Sequence, residues 1–178
     1  MMVAVKMESA CLIRSAEDKD LPGILAIYNQ VIAHSTAIFS SAPVDLAERK
    51  AWLEMRRGRG FPVLVAVEAE DVLGFASYGD WRAASGYVFT VEHSIHVREG
   101  RRGAGIGSAL MTALLREAEA QGKHAMIGGI DASNEASIAF HRSLGFDLVG
   151  RLGEVGHKFG RWLDLVFMQK RLDDRRTP

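Results

Sequence analysis

At 178 residues with 48% hydrophobic side chains, the chain can bury one sizeable core and is short for two, so a single domain over 1–178 is expected, with about 1–10 and 174–178 flexible. Lys plus Arg and Asp plus Glu stand at 22 each, so no global field recruits nucleic acid or an acidic membrane surface, and any anion must be bound locally. The one cysteine, Cys11, excludes an internal disulfide, no Cys/His spacing suggests a metal, and neither a signal-peptide core nor a membrane-length apolar run is present, so a reducing cytoplasm is the expected setting.

Leu12 and Ile13 open the pattern as a short apolar piece. DLPGILAIYNQVIAH then places Leu21, Ile24, Leu25, Tyr28, Val31 and Ile32 on one helical face. PVDLAERKAWLEMRR reads as a second helix, with Asp45 and Glu48 spaced as a variant capping box and Leu46, Trp52, Leu53 and Met55 as core candidates. Gly58 and Gly60 stop it, and Arg56, Arg57 and Arg59 read as its solvated end. From Pro62 the segments PVLVAVEA, VLGFASYGDW and YVFTVEHSIHV are β-branched and aromatic, and read as consecutive antiparallel strands. ALMTALLREAEAQG is an amphipathic helix closed by Gly122, and HAMIGGI is a buried strand. SNEASIAFHRSLG is a further helix opened by Ser133 or Asn134, FDLVGRL and WLDLVFMQKRL are closing strands, and the RRTP tail reads as disordered. This order argues for an α/β or α+β mixed sheet with helices on both faces.

Between the strand at 87–97 and its following helix lies RRGAGIGSAL. Glycines at 103, 105 and 107 ahead of a helix start suggest a backbone that approaches an anion closely. The dinucleotide pattern G-x-G-x-x-G fails because Ser108 stands where its third glycine would, and the Walker pattern fails because Gly105 is followed by Ile106 and Gly107. What remains is Arg102 to Gly107, of the form R-x-x-G-x-G, with the downstream run from Asn134 to Phe146.

These two motifs resemble the pyrophosphate loop and following helix of the GNAT superfamily of acetyl-CoA-dependent N-acetyltransferases. IRSAEDKDLPGILAIYN is similar to that family's first strand and helix. YNQVIAHSTAIF, ASYGDWR, TVEHSIHV, AFHRSLGF and VGHKFGRWLDLVFMQ resemble its phosphinothricin and methionine sulfoximine acetyltransferase group over nearly the whole chain. The resemblance implies a mostly antiparallel sheet whose middle strands part in a V, acetyl-CoA as co-substrate, no metal, a small amino-acid-like amine as partner, and a homodimer. Arg102, Gly103, Ala104, Gly105, Ile106, Gly107 and Ser108 would hold the pyrophosphate, and the backbone of Ile95, His96 and Val97 the pantetheine arm and thioester carbonyl. Asn134 would bind or hydrate that arm, and is equally readable as a helix cap.

Acetyl transfer needs a neutral amine, and an α-amino group with a pKa of roughly 8 is mostly protonated at neutral pH. Glu92, on the strand ahead of the loop and flanked by apolar residues, reads as a half-buried carboxylate with a raised pKa, suited to be a general base. His141 stands where most of the superfamily has a tyrosine, and reads as the donor to the departing thiolate, a second relay, or a core histidine. For a substrate carboxylate Arg82 is the first choice, with Asp80 to orient it, Trp81 beside it and a hydroxyl from Tyr78; Phe39 resembles the family's aromatic wall over the substrate and is equally readable as a loop anchor. Lys158 and Arg161 read either as a second cationic pair or as a hairpin's solvated charges. The expected activity is acetylation of the α-amine of methionine sulfoximine, methionine sulfone or phosphinothricin; the alternatives are peptide N-termini or other small amines, and a non-catalytic CoA sensor.

Overall fold

In the computed structural model residues 11–177 are described; Met1, Met2, Met7 and the rest of the first ten residues, expected to be flexible, lie outside the described residues, as does Pro178. Seven strands form one open sheet: β1 (Leu12–Ser15), β2 (Val63–Glu68), β3 (Asp71–Asp80), β4 (Thr90–Val97), β5 (Ala125–Asp131), β6 (Asp147–Lys158) and β7 (Arg161–Arg171). Their spatial order is β1-β2-β3-β4-β5-β7-β6. Every neighbouring pair is antiparallel except β4 and β5. Four helices, α1 (Leu21–His34), α2 (Leu46–Gly58), α3 (Ile106–Ala120) and α4 (Glu135–Ser143), complete the expected mixed sheet with helices on both faces.

Strand periodicity sorts the core. On β2, Val63, Val65 and Val67 join Ile24, Ile27 and Leu53 of α1 and α2 on one face. Their chain neighbours Leu64 and Ala66 join Leu110, Met111 and Leu114 of α3 on the other.

Several boundaries move. β4 begins at Thr90, because Ser85–Tyr87 forms a 3-10 turn. β6 runs on through GEVGHK, where glycines and charges hid a strand; Phe159 (φ 49°) and Gly160 (φ 72°) turn it tightly into β7, as two consecutive positive φ values do in hairpins. α3 begins inside the glycine loop at Ile106, not at Ala109. Asp45 caps α2 through the Glu48 N–H at 2.8 Å, but the Glu48 carboxylate binds Arg49 instead of closing a box. Arg175, expected in a disordered tail, donates to the Gly122 carbonyl at 2.6 Å.

The inward face of α2 is the largest departure. Leu46 and Met55, expected in the core, are 47% and 44% exposed, whereas Arg49 is 4% exposed beside Leu53. Counting from Leu53, positions 49 and 56 are its helical neighbours toward the sheet, so two arginines occupy the stripe that hydrophobic residues would ordinarily fill.

Candidate active site

β4 and β5 pair over only three residues, Thr90 to Glu92 against Ala125 to Ile127. β4 stays paired with β3 as far as Val97, and β5 with β7 as far as Asp131. Past Glu92 and Ile127 their facing edges therefore separate, and backbone N–H and C=O groups are turned toward the gap. Two cavities of about 490 Å³ each open on either side of it. They share Ala37, Ile95, His96, Asn134, Ser137 and His141, so the two spaces meet at the parted strands.

The glycine loop borders one cavity. Gly103 and Gly105 have φ of 81° and 79°, and a Cβ at either would meet nothing within 4 Å. These glycines are there for backbone shape, because L side chains rarely adopt that region. Gly107 packs beside the Phe140 ring, which a Cβ there would meet at an ordinary contact distance of 3.5 Å. Arg102, Gly103, Gly105, Gly107, Ser108, Ile95, His96, Val97 and Asn134 all line this cavity. Ala104 is exposed outside it, and the Ile106 side chain is buried in the core at 4% exposure. The free N–H groups of the first turn of α3 point toward the loop, a ready place for an anion. The Asn134 side-chain oxygen accepts from the Ser137 N–H at 3.1 Å, so it caps α4 while lining the cavity.

In the other cavity Glu92 is half-buried, paired across β3 with Gly79. Burial raises its pKa, and the charges of Arg82 and Arg56 pull it back down. Two glycines make the space: a Cβ at Gly129 would stand 3.3 Å from the Glu92 carboxylate, and one at Gly79 would fall 1.7 Å from an Arg56 nitrogen. Arg56 donates to the Tyr78 carbonyl at 2.9 Å, and its buried Nε is without a partner among the described residues. Arg49 lies over the rings of Tyr28 and Trp52, at 4.0 and 4.8 Å from their centroids, and pairs with Glu48. Sequence reasoning missed Arg49 altogether and left Arg56 at the solvated end of its helix; both line the cavity. Their spacing on the face of Trp52 and Leu53 was the available signal.

On the opposite face of β4 lie His93 and His141, 9% and 2% exposed. His141 Nδ1 is 2.7 Å from the Ser137 carbonyl, and its Nε2 is 3.2 Å from Nε2 of His93. Burial lowers the pKa of both; the charges of His141 and His96 add to the effect on His93, which falls to about 3. His96 falls to about 4 for the same reason, helped by Arg49 and Arg102.

Several residues expected to touch substrate are held elsewhere. Tyr78 points to the α3 face, packed edge-on against Phe61 and fully buried, so its hydroxyl cannot reach the cavity. Asp80 lines the cavity, but its ion pair is with Arg59, not Arg82. Lys158 is 2% exposed, and its Nζ donates to the carbonyls of Ser35 and Ile38 at 2.6 and 2.7 Å. Phe39 rests on Gly156 of β6, where a Cβ would be 2.3 Å from its ring. Both residues anchor the 35–39 loop, as does the hydrogen bond from Thr36 to Asp131. Arg82 is exposed with its guanidinium 5.0 Å from the Trp81 ring, and Trp81 packs on Phe167. Arg161 is exposed, its charge felt by Asp131. Among the described residues no group of three or more His, Cys, Asp or Glu could hold a metal ion, and no helix is long and apolar enough to cross a membrane.

Residues 24–146 match the acetyltransferase (GNAT) family. An L-methionine sulfoximine/L-methionine sulfone acetyltransferase of Pseudomonas paraeruginosa is 54% identical over 166 residues, covering 93% of this chain and 96% of the relative. A phosphinothricin N-acetyltransferase of Alcaligenes faecalis is 37% identical, covering 92% and 84%. The solved structure of a putative acetyltransferase from Salmonella typhimurium with its cofactor acetyl-CoA superposes with a TM-score of 0.92 at 46% identity, covering 95% and 98%. The family resemblance carried by the two motifs is borne out.

The buried histidines set an acid limit on stability. An unfolded histidine takes up its proton near pH 6.5, whereas folded His93 resists to about 3, so its contribution is complete above pH 6.5 and is lost as pH falls through that window. The melting temperature should be flat from pH 8 to 7 and fall below pH 6.5, each such proton steepening the loss by at most about 1.4 kcal/mol per pH unit. A melting temperature unchanged between pH 7 and 5 would contradict the buried neutral rings.

Proposed function

The chain belongs to the acetyltransferase (GNAT) family, and from that premise we propose that it acetylates the α-amine of small amino-acid analogues such as methionine sulfoximine, methionine sulfone or phosphinothricin, using acetyl-CoA. The observation that carries this reading is the meeting of two cavities at the parting of β4 and β5, with the Glu92 carboxylate on one side and a glycine-lined helix start on the other.

The residues fit the co-substrate. Gly103 and Gly105 keep positive φ in open space beside the first turn of α3, as a pyrophosphate needs, and exposed Arg102 adds charge. The β4 edge from Ile95 to Val97, left by β5, offers backbone N–H groups to carbonyls of an extended arm. When bound, acetyl-CoA supplies the activated acetyl group.

Glu92 takes the amine proton, directly or through a water, because burial raises its pKa and makes it a stronger base than a free carboxylate. The substrate carboxylate is assigned to the cationic groups around Glu92, with exposed Arg82 beside Trp81 and Arg56 behind Gly79; both charges reach Glu92. Lys158 and Phe39 serve the site by holding the 35–39 loop rather than by touching substrate. We place the reaction in the cytoplasm, where Cys11 would stay reduced, and detoxification of such analogues is the benefit it would confer.

A homodimer is part of this reading. β6 is an edge strand whose Val149, Leu152 and Val155 are 53%, 45% and 52% exposed, with Trp162 of β7 at 66%. An exposed apolar hairpin of this kind favours a partner.

Thiol release from acetyl-CoA across a panel of amines tests the reaction. Turnover is expected on the amino-acid analogues, with Glu92→Gln slower by about 10²-fold or more, and with wild-type activity falling as pH drops through the raised Glu92 pKa. Turnover on peptides alone would overturn the substrate, and none on any amine would leave a CoA sensor. Arg82→Ala should raise KM roughly tenfold or more, because a charge-assisted pair contributes about 1.5–3 kcal/mol; an unchanged KM removes Arg82 from the carboxylate. Trp162→Glu should convert a dimer seen by light scattering into a monomer, and a wild type that already scatters as a monomer refutes the dimer.

A further inference from the structure

His93 has no part in the chemistry assigned above, yet it is buried at the back of the cleft with one ring nitrogen, Nδ1, lacking a partner among the described residues. Its other nitrogen faces His141. Hydrogen placement follows from what each partner can do. The Ser137 carbonyl can only accept, so His141 Nδ1, 2.7 Å away, carries a hydrogen. A neutral imidazole has one N–H, which leaves a lone pair on His141 Nε2. At 3.2 Å a second lone pair would repel it, so His93 donates from Nε2, and its buried Nδ1 is the bare acceptor.

We propose that His93 is a positioning residue, holding His141 as the neutral Nδ1–H tautomer, so that the pair stays uncharged and supplies no imidazolium to the reaction in the neutral range.

The surroundings are built for an uncharged pair. Phe146 packs edge-on to both rings, at 5.6 and 5.3 Å, and Phe140 edge-on to His141 at 5.2 Å. β5 contributes Gly128, where a Cβ would stand 2.7 Å from His93 Nε2 and 3.6 Å from His141 Nε2. The ionisable groups that face the pair do not offset a positive charge. From β3, Tyr78 sits opposite His93 with its phenol pKa raised by burial, and is neutral. His96, on the Glu92 side of β4 against Tyr28 and Phe75, is held neutral by burial, and its charge would only oppose one on His93. Glu92, next in sequence to His93, lies across β3 from Gly79 on the other side of the strand. Burial lowers both ring pKa values. A thiol with a pKa of about 8.5 departs as thiolate without an imidazolium beside it, so His141 need not be charged.

Only the kinetic consequence rests on the acetyl-transfer reading; the tautomer belongs to the resting protein. Long-range proton–nitrogen correlation spectra of ¹⁵N-histidine-labelled wild type, taken from pH 5 to 8, should show His141 protonated at Nδ1 alone, His93 at Nε2 alone, and neither titrating. His93→Gln, whose amide can donate in the same place, should keep the wild-type pH profile of kcat. His93→Ala frees His141 Nε2, so His141 should titrate inside that window in the same spectra. A wild-type His141 protonated at Nε2, either wild-type ring titrating between pH 5 and 8, or a folded His93→Ala whose His141 still does not titrate there overturns the proposal. Should the alanine variant not fold, the wild-type spectra decide it. Absence of turnover with the predicted tautomers would defeat the acetyl-transfer reading and leave the pair standing.

Discussion

Three residue pairs of parallel strand, and no more, join β4 to β5. A full parallel ladder would satisfy both edges and close the sheet; ending it at Glu92 leaves polar backbone that must find other partners. β3 and β7 hold the outer edges of β4 and β5 in full register, so the parting is rigidly framed. The cleft is therefore a consequence of pairing geometry, and its side chains are arranged around an opening the backbone already imposes.

The two glycines in the middle of β5 make that opening usable. Successive residues on a strand point to opposite faces, and Gly128 and Gly129 each clear space on their own face: one for the His93–His141 pair, the other for the Glu92 carboxylate. The same alternation on β4 separates Glu92 from His93. An acid and a histidine pair can thus occupy adjacent positions in sequence while sitting in different environments, one among arginine charges and the other among aromatic rings. Burial pushes both toward the neutral form, the acid's pKa up and the histidines' down, and only the acid has arginine charges pulling the other way.

The fold was largely legible because the strands from Pro62 onward and the helices at 106–120 and 135–143 carry strong periodic patterns bounded by glycines. The glycine-loop side of the cleft was legible for a related reason: glycine spacing reports backbone shape directly. The Glu92 side was not. Tyr78 and Asp80 lie beside Gly79 in sequence, yet only face and pairing show that Tyr78 is buried under α3 and that Asp80 is bound to Arg59. Lys158 looked like a hairpin charge because the strand that carries it was read as loop. Its burial against the carbonyls of Ser35 and Ile38 depends on contacts across more than a hundred residues, which no local pattern contains.

α2 shows why the cationic side of the cleft escaped a hydrophobic reading. Amphipathic analysis assumes that the inward face is apolar, and Arg49 and Arg56 violate it. Arg49 is tolerated because its guanidinium lies on two aromatic faces and meets Glu48. Arg56 is tolerated because Gly79 gives it room and the Tyr78 carbonyl gives it a partner. Both exceptions are made possible by neighbours that a core would not require: a glycine in mid-strand and an aromatic pair turned toward a cavity. Where a helix spends inward positions on arginine and the opposing strand yields a side chain to admit it, the pair of departures concentrates positive charge at one wall of the cavity.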